Sequence, residues 1–252
     1  MTLQGKHALV TGGGTGIGLA IARALAAEGA VVTITGRRLA VLQAAADGRA
    51  GLFPAAMDVT DEDAVIGTIE KAAAARGPLA VCVANAGIAE GRSIYKTDLA
   101  FWRQVMSANL DGAMLTIREC LKTMRGQDWG RVIAMSSVAG TKGLKGAAAY
   151  SASKHGLIGL IRSLAQDFVG SGITFNALCP AYVQTDIIET NVAKIQARAG
   201  VSEDEARAMM VHANPHGRLI AAEEIAAAAL WLCRPGSDSV NGQAIEISGG
   251  LF

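Results

Sequence analysis

The sequence has no block of basic residues. Its 23 lysines and arginines nearly balance 22 aspartates and glutamates, for a formal net charge of +1. A clustered positive face of the kind that holds nucleic acid or an anionic membrane is therefore not expected. Cysteines are few and scattered: Cys82, Cys120, Cys179 and Cys233 form no Cys-x-x-Cys and have no neighbouring histidine. That speaks against a disulfide framework and a metal site, and for a reduced, cytoplasmic chain. No stretch of about 20 residues is apolar and uncharged enough to span a bilayer. Residues 1–10, MTLQGKHALV, lack the long apolar core of a signal peptide. Disorder needs low hydrophobicity and high net charge, whereas here 51% of residues are hydrophobic and 18% charged. Aromatics make up only 4% beside 30 glycines, a balance that suits helices packed closely on a sheet.

What is present is an alternation. Runs of strand length (HALVTG, AVVTITG, LAVCVANAG, RVIAMSS, ITFNALCP and QAIEISGG) are separated by amphipathic helical patterns such as AEEIAAAALWLC. After the first run, Ile17, Ala20, Ile21, Ala24 and Leu25 repeat at helical spacing. Strand–helix alternation predicts an α/β fold, a doubly wound parallel sheet with helices on both faces. No linker, repeat or low-complexity tract divides residues 1–252, so a single domain is expected. Such sheets bind ligands at the carboxyl ends of their strands, which directs attention to 11–18, 36–38, 58–59, 84–88, 136–146 and 179–190. One segment breaks the rhythm: from 186 to about 218 there is no strand pattern, and a long insertion on the ligand edge reads as a substrate lid or as a pair of surface helices.

The first of these loops is glycine-rich. Gly12, Gly16 and Gly18, with Thr15 and Ile17 between them, are spaced T-G-x-x-x-G-x-G and lead straight into a helix. Glycines there let backbone N–H groups approach a pyrophosphate at the helix N-terminus. The loop departs from the generic G-x-G-x-x-G pattern, and alone it reads equally as a structural turn. At the end of the second strand, TITGRR offers Arg37 and Arg38 where an NAD-binding chain places a carboxylate for the ribose. Two guanidinium groups suit the 2′-phosphate of NADP, unless they are solvated surface. Asp58 and Val59 are placed to hold an adenine, and Asn85, Ala86 and Gly87 end another strand with small residues that allow close approach. Each alone is a turn; together they fall at successive strand ends, where one extended dinucleotide would lie.

Tyr150 and Lys154, in YSASK, stand one helical turn apart, after a strand ending in Ser136 and Ser137. Free tyrosine titrates near 10, too high for acid/base work at neutral pH. A lysine ammonium and a positive nicotinamide ring would lower that value, and a serine would hold the substrate oxygen. The combination suits carbonyl/alcohol chemistry, with hydride moved by the cofactor and the proton by tyrosine.

In this order, TGGGTGIG, NAG, ANLDG, SSVAG, YSASK, GRLIAAEEIA and NGQAIEISGG resemble the short-chain dehydrogenase/reductase family over the whole chain. Within it the chain is similar to 3-oxoacyl reductases and related alcohol dehydrogenases. The resemblance implies a Rossmann-like fold and a catalytic tetrad of Asn109, Ser137, Tyr150 and Lys154. It implies that Asn109 distorts its helix and anchors a proton-relaying water, and that Lys154 also holds the nicotinamide ribose. Pro180, Val183 and Thr185 would border the carboxamide. It also implies a homotetramer built on helices at about 99–125 and 150–170, with the C-terminal SGGLF reaching a neighbour. Two positions depart from the family pattern. Pro180-Ala181 stands where Pro-Gly is usual, so either alanine takes a positive φ at a cost on the order of 1 kcal/mol or the loop adopts another path. Thr15 stands where many NADP-preferring relatives carry a basic residue, so 2′-phosphate recognition rests on Arg37 and Arg38.

Substrate walls are expected from Leu144, Tyr182, Ile187, Ile188 and Met210, together with Ser137. Lys142 and Lys145 either attract an anionic thioester or are solvated loop lysines. Three functions fit: an NADP(H)-dependent carbonyl reductase, an NAD-dependent secondary-alcohol or hydroxyacyl dehydrogenase, and a non-catalytic nucleotide-binding partner subunit.

Overall fold

The computed structural model describes residues 2–185, 192, 196 and 200–251. Seven strands form one sheet: β1 (His7–Thr11), β2 (Val31–Gly36), β3 (Leu52–Ala56), β4 (Leu79–Ala84), β5 (Gly130–Met135), β6 (Ile173–Pro180) and β7 (Ala244–Ile247). Their order is β3-β2-β1-β4-β5-β6-β7, every pair parallel. The central strands β1, β4, β5 and β6 are buried at every residue, and that is why they read as unbroken apolar runs.

Helices cover both faces. On one, α1 (Gly16–Ala27), α2 (Leu39–Ala46) and α8 (Ala222–Leu232) set Ile21, Leu25, Leu42, Ile225 and Leu232 against Val10, Ile34, Val83 and Ile133. On the other, α3 (Glu62–Arg76), α5 (Gly112–Met124) and α6 (Ala148–Asp167) set Ile69, Ile117, Met124, Leu157 and Ile161 against Leu9, Cys82, Val132 and Phe175. Two further helices, α4 (Leu99–Met106) and α7 (Glu203–His212), belong to the ligand edge. Helix α7 opens with a capping box between Ser202 and Glu205.

Strand β3 is the one the apolar runs do not announce. It lies at the sheet edge, with Phe53 exposed and Pro54 opposite Ile34. Proline is tolerated in a strand mainly at such an edge. The last two strand-like runs, ITFNALCP and QAIEISGG, appear as β6 and β7, the second shortened to four residues.

The amino ends of the strands are closed by buried polar groups. Arg131 is fully buried. It donates to the carbonyls of Leu232 (2.9 Å) and Gly130 (2.8 Å), pairs with Asp238 (2.6 Å) and stacks on Trp129. His7 donates from Nδ1 to the Gly77 carbonyl at 2.7 Å, so its Nε2 is the acceptor for the Thr33 hydroxyl at 2.8 Å. Burial, opposed by the Gly77 bond and helped by the charge of Arg76, holds the His7 pKa below its usual 6.5.

This depression has a sign. The unfolded chain takes up the His7 proton first, so stability falls as pH drops through 6.5 and below. We expect the melting temperature to decline between pH 7 and 5.5, and His7→Gln to flatten that decline. Equal slopes for the two proteins in thermal scans would refute this account of His7.

Candidate active site

The strand order turns between β1 and β4, and their carboxyl ends open a crevice there. Gly12 and Gly16 in the loop after β1 take φ of 64° and 51°, values that favour glycine. Gly18 is needed for a different reason. A Cβ on it would strike the Gly12 carbonyl and come within 2.6 Å of Asn85 Nδ2. Helix α1 starts without a side-chain cap from Thr15 and with no acidic residue in its first turn. Its leading amides therefore have no side-chain anion or cap against them, and Gly12 and Gly18 let the loop close on Asn85 and Ala86. These features fit a dinucleotide pyrophosphate. Thr185 sits beside this loop, its Cγ2 3.1 Å from where a Gly16 Cβ would be.

The two strand ends are tied by Thr11, which the sequence reading passed over. Its hydroxyl accepts from the amides of Asn85 and Ala86, both at 2.9 Å, while Asn85 Nδ2 donates to the Thr11 carbonyl at 2.9 Å. Arg37 and Arg38 follow β2 and are exposed. Asp58, after β3, accepts from the amide and hydroxyl of Thr60 at 3.0 and 2.8 Å. The Thr60 bonds chiefly, with the charge of Arg37, hold its carboxyl below the usual range. Val59 packs on the small face of Gly112, 2.8 Å from where a Cβ would be.

Beyond the crevice, helices α4 and α5 are joined by a π turn, Ser107–Asp111, with Asn109 buried within it. The local distortion expected at Asn109 is present. Asn109 Oδ1 accepts from the Ile88 amide (2.8 Å), and its Nδ2 donates to the Ile88 carbonyl (3.0 Å) and to Ser153 Oγ (3.1 Å). Both side-chain amide hydrogens are thus committed within the protein. Gly87 lies alongside: a Cβ there would be 2.8 Å from Asn109 Oδ1 and 3.6 Å from Lys154 Nζ.

Ser137 follows β5 and is buried; its Oγ accepts from Ala139 N at 3.1 Å and donates to the Pro180 carbonyl at 3.5 Å. Its hydroxyl faces the Tyr150 phenol and favours the ionised form. Lys154 is buried one turn further along α6. Its Nζ donates to the Met135 carbonyl at 2.7 Å and stands 5.7 Å from the Tyr150 ring centre. So Asn109, Ser137, Tyr150 and Lys154 converge, and they do so next to Gly87.

The lowering of Tyr150 expected from Lys154 together with a nicotinamide ring is not produced by Lys154 alone. In the protein without ligand, Tyr150 is pushed above its usual value, chiefly by burial; the Ser137 hydroxyl opposes this, and Tyr182 and Cys179 add to it. Lys154 is pushed down to about 8 by burial. The one-turn spacing brings the ammonium near the ring but aims it at Met135, so the spacing by itself does not produce a low tyrosine pKa.

At Ala181 the loop takes the second of the two expected courses. No described non-glycine residue has a positive φ, so Ala181 carries no left-handed strain, and its amide donates to Ile247 O at 3.1 Å. Val183 bridges Ile220, and Gln184 N donates to Ile220 O at 2.8 Å. Tyr182 packs on Met210 together with Val192 and Ala206. Met210 is buried in that small cluster, whereas Leu144 is partly exposed on the loop before α6. Lys142 Nζ donates to the Leu251 carbonyl at 3.3 Å; Lys145 is exposed. Ile187, Ile188 and much of the expected lid lie outside the described residues.

The short chain dehydrogenase family model matches residues 6–196. The chain belongs to the short chain dehydrogenase family. It is 37% identical to the cis-4-hydroxycyclohexanecarboxylate dehydrogenase of Sinomonas cyclohexanicum, over 97% of this chain and 96% of that one. It is 34% identical to the 3-oxoacyl-acyl-carrier-protein reductase of Escherichia coli strain K12, over 100% and 99%. Among solved structures, a variant of actinorhodin polyketide ketoreductase with NADPH superposes with a TM-score of 0.94 at 31% identity, covering 98% of this chain and 97% of that one. As a short chain dehydrogenase with the Rossmann-like sheet, this protein is an oxidoreductase of the CH–OH/C=O class.

The depressed Lys154 pKa is a stability statement. Between about 8 and the usual 10.5 the unfolded chain holds a proton that the folded one lacks, so folding gains stability as pH rises through that window and bears the full cost below it. Lys154→Met should therefore be more stable than the parent at pH 7, by roughly 2–3 kcal/mol once the lost bond to Met135 is set against the relieved burial. The gap should narrow above pH 8. Denaturant unfolding at pH 7 and pH 10 measures it, and a variant less stable than the parent at both would contradict the burial argument.

Proposed function

We propose that the protein is an NADP(H)-dependent reductase that interconverts a ketone and a secondary alcohol, with 3-oxoacyl/3-hydroxyacyl thioesters as the first substrate class to test. The observation that carries the catalytic part is the convergence of Ser137, Tyr150 and Lys154 at the carboxyl ends of β5 and β6, beside the glycine cradle. NADP rather than NAD is favoured by Arg37 and Arg38, exposed after β2 with no carboxylate beside them in TGRRLA.

In this reading Gly12, Thr15, Gly16, Ile17 and Gly18 hold the pyrophosphate, and Arg37 and Arg38 the 2′-phosphate. Asp58 and Val59 take the adenine, and Asn85, Ala86 and Gly87 lie along the middle of the cofactor. Pro180, Val183 and Thr185 border the carboxamide. The nicotinamide, when bound, supplies or accepts the hydride and carries positive charge in its oxidised form. Ser137 donates to the substrate oxygen and holds it beside the Tyr150 phenol. Tyr150 gives its proton to that oxygen during reduction and takes it back during oxidation. Lys154 binds the ribose hydroxyls and offsets charge as the phenol ionises. Because the Asn109 side chain is committed to Ile88 and Ser153, a proton-relaying water here is held by the main chain of the π turn.

Leu144, Tyr182, Ile187 and Met210 form the apolar substrate wall in this reading. The assembly is a homotetramer in the cytoplasm. A groove on α5 and α6 lined by Met114, Ile117, Leu121, Leu160, Leu164 and Phe168 supports a partner copy there. No described helix is long and apolar enough to cross a membrane.

Tryptophan-fluorescence titration should find NADPH bound at least about tenfold more tightly than NADH, the worth of one good charge-assisted contact. Arg37→Ala with Arg38→Ala should erase the difference. Equal affinities in the parent protein would sink the NADP assignment. In a screen of ketones, 3-oxoacyl thioesters and secondary alcohols, Tyr150→Phe should lower kcat at least about 100-fold on whatever is turned over. Unchanged turnover would remove Tyr150 from the mechanism.

A further inference from the structure

Ser136 and Ser153 are both buried, and their hydroxyls each donate to a main-chain carbonyl. Ser153 lies on α6 between Tyr150 and Lys154. Its hydroxyl donates to the Tyr150 carbonyl at 2.7 Å and accepts from Asn109 Nδ2 at 3.1 Å. Ser136 follows β5, and its hydroxyl donates to the Lys154 carbonyl at 3.1 Å. The main-chain carbonyls of the tyrosine and of the lysine thus each receive a serine hydroxyl, one turn apart along the helix.

These contacts close two chains of hydrogen bonds. The first runs from Ile88, after β4, through both ends of the Asn109 side chain to Ser153 and so to Tyr150. The second runs from Ser136 to Lys154, whose Nζ returns to the neighbouring Met135 carbonyl. Space for the second is left by Gly140, where a Cβ would strike Ser136 Oγ and come within 2.8 Å of the Lys154 carbonyl. Both chains join α6 to neighbouring elements at adjacent residues, Ser153 and Lys154, beside the Tyr150 carbonyl.

We propose that Ser153 and Ser136 are positioning residues that lock α6 against the π turn and against β5, and so set where the Tyr150 phenol stands relative to Ser137. The proposal rests on Tyr150 being the acid/base group. Loss of either hydroxyl leaves a buried partner, an Asn109 amide hydrogen or the Lys154 carbonyl, less well satisfied. A shift of α6 relieves this and moves the phenol.

The test reads the phenol directly, without turnover. Tyr150 is titrated by tyrosinate absorbance as the difference between each protein and its Tyr150→Phe counterpart, which subtracts Tyr95 and Tyr182, with circular dichroism followed throughout. The groups facing the phenol are Ser137 after β5, Cys179 and Tyr182 on and after β6, and Lys154 on α6; none is altered. Ser153→Ala and Ser136→Ala should each lower the midpoint by about half a unit or more as water reaches the displaced ring. Ser153→Thr, which keeps the hydroxyl, should restore it. On the best ketone from the screen, both alanine variants should lose about tenfold in kcat. An unmoved midpoint in the folded alanine variants, or a threonine variant that behaves as alanine does, overturns the proposal. If one alanine variant fails to fold, the other decides. Because the absorbance titration needs no substrate, an inactive or differently acting protein leaves this result readable.

Discussion

Thr11 Oγ1 accepts from the amides of both Asn85 and Ala86, and Asn85 returns its side-chain amide to the Thr11 carbonyl; this knot joins the ends of β1 and β4, the pair between which the sheet order turns. The residues on either side inherit their places from it. Toward the N-terminus, the glycine loop closes so tightly over Asn85 that Gly18 has no space for a side chain. Toward the C-terminus, Gly87 passes beneath Asn109 and Lys154, and Ile88 grips both ends of the Asn109 amide. The glycine loop and the cluster of Asn109 and Lys154 are therefore two ends of one short hydrogen-bonded segment.

Burial acts in opposite directions on the two ionisable groups of the site. It raises Tyr150 and lowers Lys154, because a low-dielectric setting penalises whichever form is charged. The resting pair is accordingly a protonated phenol next to an ammonium held only weakly in its charged state. The fold packs Lys154 against the end of β5, with Tyr150 beside it. It also makes any added charge in the crevice count for more than it would at the surface.

Five of the seven strands, β1, β2, β4, β5 and β6, are legible as apolar runs because both of their faces are covered; β7 at one edge was legible although none of its residues is buried. Strand β3 is not: an edge strand needs only one well-paired side, and Leu52–Ala56 accordingly carries an exposed Phe53 and a proline. The convergence of Tyr150, Lys154 and Ser137 was readable from spacing and strand ends, and Asn109 from family resemblance. Thr11 and Ser153 were not, although both lie inside stretches already singled out. Their partners are 74 and 44 residues away, and a small hydroxyl leaves no periodic trace. Nor does spacing reveal the aim of a side chain: Lys154 is one turn from Tyr150 yet donates to Met135.

Ala181 has a meaning that contacts alone do not reveal. It occupies the place where the family resemblance expects glycine, and it does so without positive φ. An alanine that fits its native backbone has fewer conformations to surrender on folding than a glycine would. The difference acts through the unfolded chain and is worth about 0.4–1 kcal/mol. The loop carrying Tyr182, Val183 and Thr185 is thus stiffened before it is folded, so less ordering entropy remains to be lost when something is held against it.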